Sequence, residues 1–452
     1  MAEMQIASLN NLSNLEFFDF VTLMLDIKLI RENPEMVKNN LAKRGNPENI
    51  EKLEELIETD RKWRLDLTKL NDLRHDRRVC TQEIATLKKA KQDAVIQVGK
   101  AKAVDQEITR AEKEVTQEEQ IVHDLLMRLP NLLHDTVPLG ETDKGNVEVK
   151  KWGIIPNFSF PIKNHIDLAT TLDIIDIERA GKVAGARFFF FKGAGVLLDM
   201  ALISFALEEM TQKGYTLIEP PYLMKREPYE GVTSLGDFAD VLYKIENEDL
   251  YLIATSEHPM AAMYLNEVFK QENLPLKLAG VSACFRKEAG AHGKDTRGIF
   301  RTHQFNKVEQ FIFCTPEESW QMHEELARNA EELFQKLEIP YRIVNVCTGD
   351  IGTVAAKKYD FEAWMPAQGT YREVISCSNC TDYQARRLGI RCMEKEGAAP
   401  RGFVHTLNST AIATGRTIVA ILENNQQEDG SILIPKVLRK YMGDIERISM
   451  KR

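Results

Sequence analysis

The chain has 452 residues, enough for two or three domains and a large core. At 43% hydrophobic and 28% charged it has the composition of an ordinary soluble globular protein, and its net charge of −9 counts against nucleic-acid binding unless basic residues are gathered in one place. Seven scattered cysteines suggest reduced thiols and a cytoplasmic setting, and no apolar run approaches the ~18 residues of a membrane span.

The first stretch, 1–23, contains no lysine or arginine, so it reads as a leader of unknown role, or as sequence preceding a start at Met24. Residues 24–135 read as a helical arm. Pro34 opens a helix after Asn33, and from Ile50 to Leu129 breakers are almost absent. Leu53, Leu56, Leu67, Leu70 and Ile84 mark one seam near a 3.5-residue repeat. Val104, Ile108, Ala111, Val115, Val122, Leu125 and Leu129 mark another. The pattern predicts two antiparallel helices of ~35–40 residues folded about a tip at Ala90 to Lys102. Between 61 and 102 stand twelve lysines and arginines against five acids, a local surplus on an acidic chain. Such a rod can meet a phosphate backbone without a pocket; the plainer alternative is a solvated coiled coil used in assembly.

Pro130, Pro138, Gly140, Gly145, Gly153 and Pro156 mark a linker, 136–160, before a second domain at 161–452. There the pattern predicts a short helix over Asn164 to Ala180 and a buried strand through Phe188 to Phe191. An amphipathic helix from Val196 to Lys213, closed by Gly214, runs into a strand from Tyr215 to Tyr222. Pro220 and Pro221 place the end of that strand at an edge or an interface. Tyr251 to Glu257 reads as a strand ending in Thr255, Ser256 and Glu257, where the carboxylate either lines a site or solvates a strand end.

The densest chemistry lies in 284–313. Two β-prone segments flank a polar loop through Gly290, His292, Gly293, Lys294, Asp295, Arg297 and Gly298, the pattern of a hairpin. Strand alternation puts Arg301, His303, Phe305, Lys307, Glu309 and Phe311 on one side. A sheet face carrying cations, a carboxylate and rings suits a charged, flat ligand. Arg286 offers a fixed fork for phosphate or carboxylate, Phe305 a stacking surface, and Glu288 and Glu309 acceptors for amino groups. Together they suit a nucleotide beside an amino acid, whereas a surface hairpin laced by ion pairs is the alternative. Further strands are expected at Tyr341 to Val346, Phe361 to Met365 and Tyr371 to Ser376, with a helix over Pro316 to Leu337. Cys377 and Cys380 lack partners at zinc spacing and read as buried thiols. Gly415 and Arg416 precede an apolar helix from Thr417 to Glu423, which either leaves an exposed arginine at a helix N-terminus or aims a guanidinium at phosphate.

A strand ending in Pro221, Phe285-Arg-Lys-Glu288 followed by Arg301 to Phe305, and Gly415-Arg-Thr417 resemble motifs 1, 2 and 3 of the class II aminoacyl-tRNA synthetases. Neither a Gly-x-x-x-x-Gly-Lys-Ser/Thr loop nor a Gly-x-Gly-x-x-Gly fingerprint occurs. Within that class the chain resembles the seryl-tRNA synthetases from Met24 nearly to the end. Leu25-Asp-Ile-Lys-Leu-Ile-Arg-Glu-Asn-Pro34, Thr255-Ser-Glu257, Arg297-Gly-Ile-Phe-Arg-Thr-His-Gln-Phe305 and Ser378-Asn-Cys-Thr-Asp-Tyr-Gln-Ala-Arg-Arg387 carry the likeness.

The resemblance implies an α+β fold: an antiparallel coiled-coil arm, and a catalytic domain with a six- or seven-stranded antiparallel sheet flanked by helices. It implies a homodimer through the motif 1 helix and strand, and an arm that clasps serine tRNA, with selenocysteine tRNA a further candidate. ATP and L-serine would be substrates and Mg2+ the cofactor. Arg286, Arg416 and Glu309 would be the catalytic residues. Thr255, Ser256, Glu257, Arg286, Glu309 and Thr410 would hold serine. Arg286, Lys287, Glu288, Thr302, Phe305, Glu373, Val374, Ile375, Ser376 and Arg416 would hold ATP, with Glu373 and Ser376 on the metal. The family often has two small hydroxyl residues where this chain has Ile375 and Ser376. Two rival readings are a related ligase that loads a carrier protein and a catalytically silent RNA-binding paralogue; the basic arm counts against the first, and the joint presence of Arg286, Glu309, Glu373 and Arg416 against the second.

Overall fold

The computed structural model describes residues 26–234, 241–288 and 298–450. The leader 1–23 and the loop residues Gly290 to Arg297 fall outside the described residues. Two compact units divide the chain: one ends at Ala42 and resumes over Asn46–Pro130, the other comprises Lys43–Gly45 and Asn131 onward.

The first unit is helical throughout. Short helices at Ile27–Glu32 and Pro34–Ala42 precede α1 (Glu48–Lys89) and α2 (Val95–Arg128). At 1.5 Å per residue the 42 residues of α1 span about 60 Å. The tip between them is Ala90 to Ala94, shorter than expected, because Asp93 accepts from the Val95 N–H at 2.9 Å and starts α2 early, with Gly99 carried inside the helix. The seam is thin. Trp63, Leu70 and Val115 form its buried cluster, with Leu67, Ile108 and Ala111 packed alongside. Of the twelve basic residues, five are tied within this unit: Lys62 to Glu118, Arg64 to Asp60, Lys69 to Asp66, Arg74 to Glu112 and Arg77 to Asp105. Those of the twelve without an ion pair among the described residues are Arg61 and, toward the tip, exposed Arg78, Lys88, Lys89, Lys91, Lys100 and Lys102.

The second unit is built on an eight-stranded sheet: β1 (Val147–Trp152), β2 (Thr216–Ile218), β3 (Leu276–Phe285), β4 (Gln304–Cys314), β5 (Tyr341–Asn345), β6 (Lys357–Met365), β7 (Thr370–Asn379) and β8 (His405–Ala413). The spatial order is β1-β5-β6-β7-β8-β4-β3-β2. All neighbours are antiparallel except β2 on β3, which is parallel. The sheet thus exceeds the implied six or seven strands. Its extra edge, β1, comes from the stretch read as linker, and its centre, β8, from a stretch whose small residues hid a strand.

Helices α3 (Ala194–Gln212), α4 (Ser319–Lys336) and α5 (Thr414–Asn424) bury one sheet face in the main core, with Phe205, Phe334 and Ile418 meeting Ile312, Phe361 and Leu407. Three expectations for this region need correction. The helix over Asn164 to Ala180 is two helices, His165–Thr171 and Ile177–Ala184, parted at Asp173, whose φ is +54°. The four phenylalanines give only a two-residue strand, Phe190–Phe191, paired with Ile175–Asp176; Phe190 is 45% exposed. Helix α3 is apolar on both sides rather than amphipathic: Leu198, Ala201, Leu202 and Phe205 are buried, while Val196, Leu197 and Met200 stand exposed. On the other face of the sheet, Leu278, Phe311 and Phe313 anchor a second core with Tyr229, Ile253, Met260 and Leu388. Beside that core the same face turns polar.

Candidate active site

The polar part of this face floors a cavity of about 390 Å³. Strand β4 supplies Phe305, Lys307 and Glu309, β8 supplies Asn408 and Thr410, β7 supplies Glu373, Ser376 and Ser378, and β6 supplies Lys358. Two irregularities make this row possible. In a regular strand, residues three apart face opposite ways. The pairing slips between Glu373 and Ile375, opposite Glu362 and Phe361, leaving Val374 as an extra residue; Glu373 and Ser376 thereby share the cavity. A second slip, at Ala411, does the same for Thr410 and Ala413 and carries the chain into Gly415 and Arg416.

The two arginines singled out in the sequence open into this one cavity. Arg286, just past the end of β3, is held by its backbone N–H donating to the His303 carbonyl at 2.9 Å and by Nε donating to the Ala254 carbonyl at 3.3 Å. Its guanidinium carbon lies 5.2 Å from the Phe305 ring centroid, so ring and charge face the same space. Arg416, in the first turn of α5, donates to the Glu373 carbonyl at 2.9 Å, lies 3.3 Å from that residue's carboxylate, and covers the Phe300 ring. Gly415 lets the turn approach closely, since a Cβ there would lie 3.0 Å from the Ile299 carbonyl. Burial would push Glu373 up, but Arg416, Lys358 and Arg286 together hold its carboxyl below the ordinary value.

Two buried carboxylates line the same cavity. Glu309 accepts from Lys307 Nζ at 2.6 Å and from the Thr410 hydroxyl at 3.0 Å, with both charged side chains buried. Glu257 Oε1 accepts from Gln384 Nε2 and Asn408 Nδ2, each at 3.1 Å. Burial and the nearby Glu309 push the Glu257 carboxyl up to about 7, against the opposing pull of Lys307. Thr255 accepts the Glu257 N–H at 3.2 Å, fixing the turn that presents the carboxylate. Behind that turn the buried His258 lies 2.7 Å from the Tyr229 hydroxyl, and burial lowers its imidazole to about 3, so it stays neutral. Cys380 also lines the cavity, and burial keeps its thiol well above the ordinary range, so it is no nucleophile. All seven cysteines are free thiols.

Most sequence-derived candidates meet here: Thr255, Glu257, Arg286, Glu288, Thr302, Phe305, Glu309, Glu373, Val374, Ser376, Thr410 and Arg416 all line the cavity. Three do not. Ser256 points into the sheet, its hydroxyl donating to the Gly280 carbonyl at 3.0 Å, at a spot where a Cβ on Gly280 would strike Met260 and Ser256. Lys287 is exposed, its backbone N–H donating to the Val241 carbonyl. Ile375 belongs to the main core, which is where the bulge at Val374 sends it. His303 turns instead toward Phe188 and Tyr243. Glu288 is pinned by Arg301 at 3.0 Å and, through its carbonyl, by Arg187 at 2.8 Å.

Sequence reasoning gave no role to Lys307, Gln384, Asn408, Lys358 or the loop 350–355, all of which shape the cavity or hold its carboxylates. For Lys307 the signal was present, as a cation on the polar side of β4; the others become visible only once strands far apart in sequence are paired.

A long antiparallel helical pair in one unit, and in the other an antiparallel sheet whose polar face joins two arginines, a stacking ring and acidic pockets, define a class II aminoacyl-tRNA synthetase architecture. The family model of the tRNA synthetase class II core domain (G, H, P, S and T) matches residues 242–425, and that of the seryl-tRNA synthetase N-terminal domain matches 24–133. A serine–tRNA ligase of Methanospirillum hungatei is 55% identical over 423 residues, spanning 94% of this chain and 100% of that protein. The crystal structure of seryl-tRNA synthetase from Pyrococcus horikoshii complexed with ATP superposes with a TM-score of 0.91 at 50% identity, covering 95% of this chain and 100% of that one. The cytoplasmic serine–tRNA ligase of Naegleria fowleri in complex with AMP gives 0.86 at 36% identity over 95% and 99%. The chain belongs to the seryl-tRNA synthetase family.

Proposed function

We propose that the chain activates L-serine with ATP to a seryl-adenylate and transfers the seryl group to the 3′ end of serine tRNA. The observation that carries this reading is the opening of Arg286 and Arg416 into one cavity that the Glu309–Thr410 pair also lines. In the first step the serine carboxylate attacks the α-phosphate and pyrophosphate leaves; in the second a terminal ribose hydroxyl of the tRNA takes the acyl group. Neither step calls for a protein nucleophile, in keeping with the protonated Cys380 thiol and the neutral His258. Arg286 would neutralise the carboxylate and the α-phosphate together, Phe305 would stack on adenine, Glu288 and the backbone near Thr302 would read its edge, and Arg416 would take the γ-phosphate. Thr255, Glu257, Glu309 and Thr410 would receive serine. Charge neutralisation and orientation then supply the rate enhancement.

The residues fit a divalent cation. Glu373 and Ser376 offer hard oxygen ligands on one wall. That suits Mg2+, which takes one or two protein ligands and completes its shell with phosphate and water. When bound it would offset phosphate charge.

The helical unit, with its unpaired basic tip, would grip tRNA. The exposed apolar side of α3 would pair with a second copy. Among the described residues no helix is long and apolar enough to cross a membrane.

Serine-dependent ATP–pyrophosphate exchange, followed by charging of a tRNA pool with labelled serine, tests the reading; the same assay with selenocysteine tRNA tests that substrate. Arg286→Ala should slow exchange by at least ~10²-fold, the scale of one well-placed donor to developing charge. Normal exchange in that variant would overturn the role of Arg286.

A further inference from the structure

Lys358 and Asp360, neighbours on one face of β6, have no part in the reading above. Lys358 lines the cavity with its side chain only 17% exposed. Its ammonium nevertheless finds poor company: Asp360 Oδ2 at 3.5 Å and the Asp350 carbonyl at 3.5 Å, both at the outer limit of a hydrogen bond. An ammonium has three N–H donors and ordinarily draws a carboxylate to about 2.8 Å. Beside it the Asp360 carboxylate is buried, and its Oδ1 accepts from no group among the described residues.

A buried ion pair kept only for structure would be expected to close up, because separation forfeits the attraction that offsets desolvation. The pair on β6 stays open at a functional wall. Antiparallel pairing sets Asp360 opposite Ser376 and Lys358 opposite Ser378, so Lys358 stands two residue pairs along from Ser376 on the same face. Glu373 and Arg416 line the same cavity.

We propose that Lys358 is a further polyphosphate ligand: its ammonium donates to a non-bridging oxygen on the β- or γ-phosphate of ATP and keeps that contact on pyrophosphate, while Asp360, 3.5 Å away, offsets its charge without taking up its donors. This rests on the assignment of the cavity to ATP and adds to it a residue for the leaving group.

The test compares the full chain with Lys358→Arg, Lys358→Met and the double variant Lys358→Met/Asp360→Asn, all with Mg2+. The double variant strands no charge and keeps the question open to test should the single Met variant fail to fold. In both Met-bearing variants the KM for ATP and for pyrophosphate in exchange should rise roughly 10- to 100-fold, the scale of a hydrogen bond to a charged group, while the KM for serine stays within about twofold. Lys358→Arg should recover most of the loss. Unchanged nucleotide and pyrophosphate KM in the folded double variant would overturn the proposal. So would an equal rise in serine KM, the mark of a merely structural contact, or a defect confined to acyl transfer to tRNA. A parent chain with no serine-dependent exchange would instead remove the assignment of the cavity to ATP.

Discussion

At the scale of single residues, the proposed reading gives the acidic pocket the choice of amino acid. Glu309 is already neutralised by Lys307 at 2.6 Å, so it can receive a hydroxyl without presenting a bare charge. A substrate lacking that hydroxyl leaves buried polar groups unpaired, a discrimination that can reach ~10⁴. Glu309→Gln keeps the shape and removes the charge; serine kcat/KM should fall by ~10²-fold or more while ATP-analogue affinity is retained, as read by exchange kinetics and by direct titration. Glu257 differs in keeping its proton up to about 7, against an ordinary value of 4.5. Between those values the folded chain binds more protons than the unfolded one, so this group's contribution to stability falls as pH rises through that window and is constant above it. Serine, entering as an ammonium, favours the ionised form. Its KM should therefore fall as pH rises through about 7, and Glu257→Gln should flatten that profile.

At the scale of elements, what was legible in the sequence and what was not have physical reasons. The motif 2 hairpin was readable because Phe305, Lys307 and Glu309 keep strict alternation within a single strand, β4. Strand β8 was not, since Ser409, Thr410 and Ala411 are small residues whose strand character comes from burial between β4 and β7 rather than from propensity. The bulges at Val374 and Ala411 were equally hidden, because a register slip is a property of two strands at once. Hence Ile375 read as a site residue and Asn408 did not. The helical arm shows the converse: its seams and its charge surplus were plain, but which cations are spent on internal pairs was not. Replacing Lys88, Lys89, Lys91, Lys100 and Lys102 by alanine should weaken tRNA binding, and lower the steepness of its salt dependence by up to about five in log–log slope, while pyrophosphate exchange is unchanged. Filter binding across a salt series, run beside exchange, measures both.

At the scale of the whole molecule, the apolar side of α3 stands out. Val196, Leu197 and Met200 are 42%, 42% and 47% exposed, and Leu217 on the edge strand β2 is 43% exposed. A protein has little reason to leave such a helix side wet unless another surface covers it. A second copy meeting the same side by twofold symmetry covers both at once. Sedimentation should show a dimer, and Leu197→Lys/Met200→Lys should shift it to monomer. Retained dimer mass in the double variant would point to a different contact.

The strand order also has a consequence for how the protein is made. Strand β1 emerges from the ribosome early but, among the described residues, pairs with β5, Tyr341–Asn345, much further along the chain. The helical hairpin of the first unit closes on local contacts and can form during synthesis, whereas the sheet cannot be completed until its late-made centre, β8, arrives. The helical unit would therefore be structured while the unit that carries the cavity is still being translated.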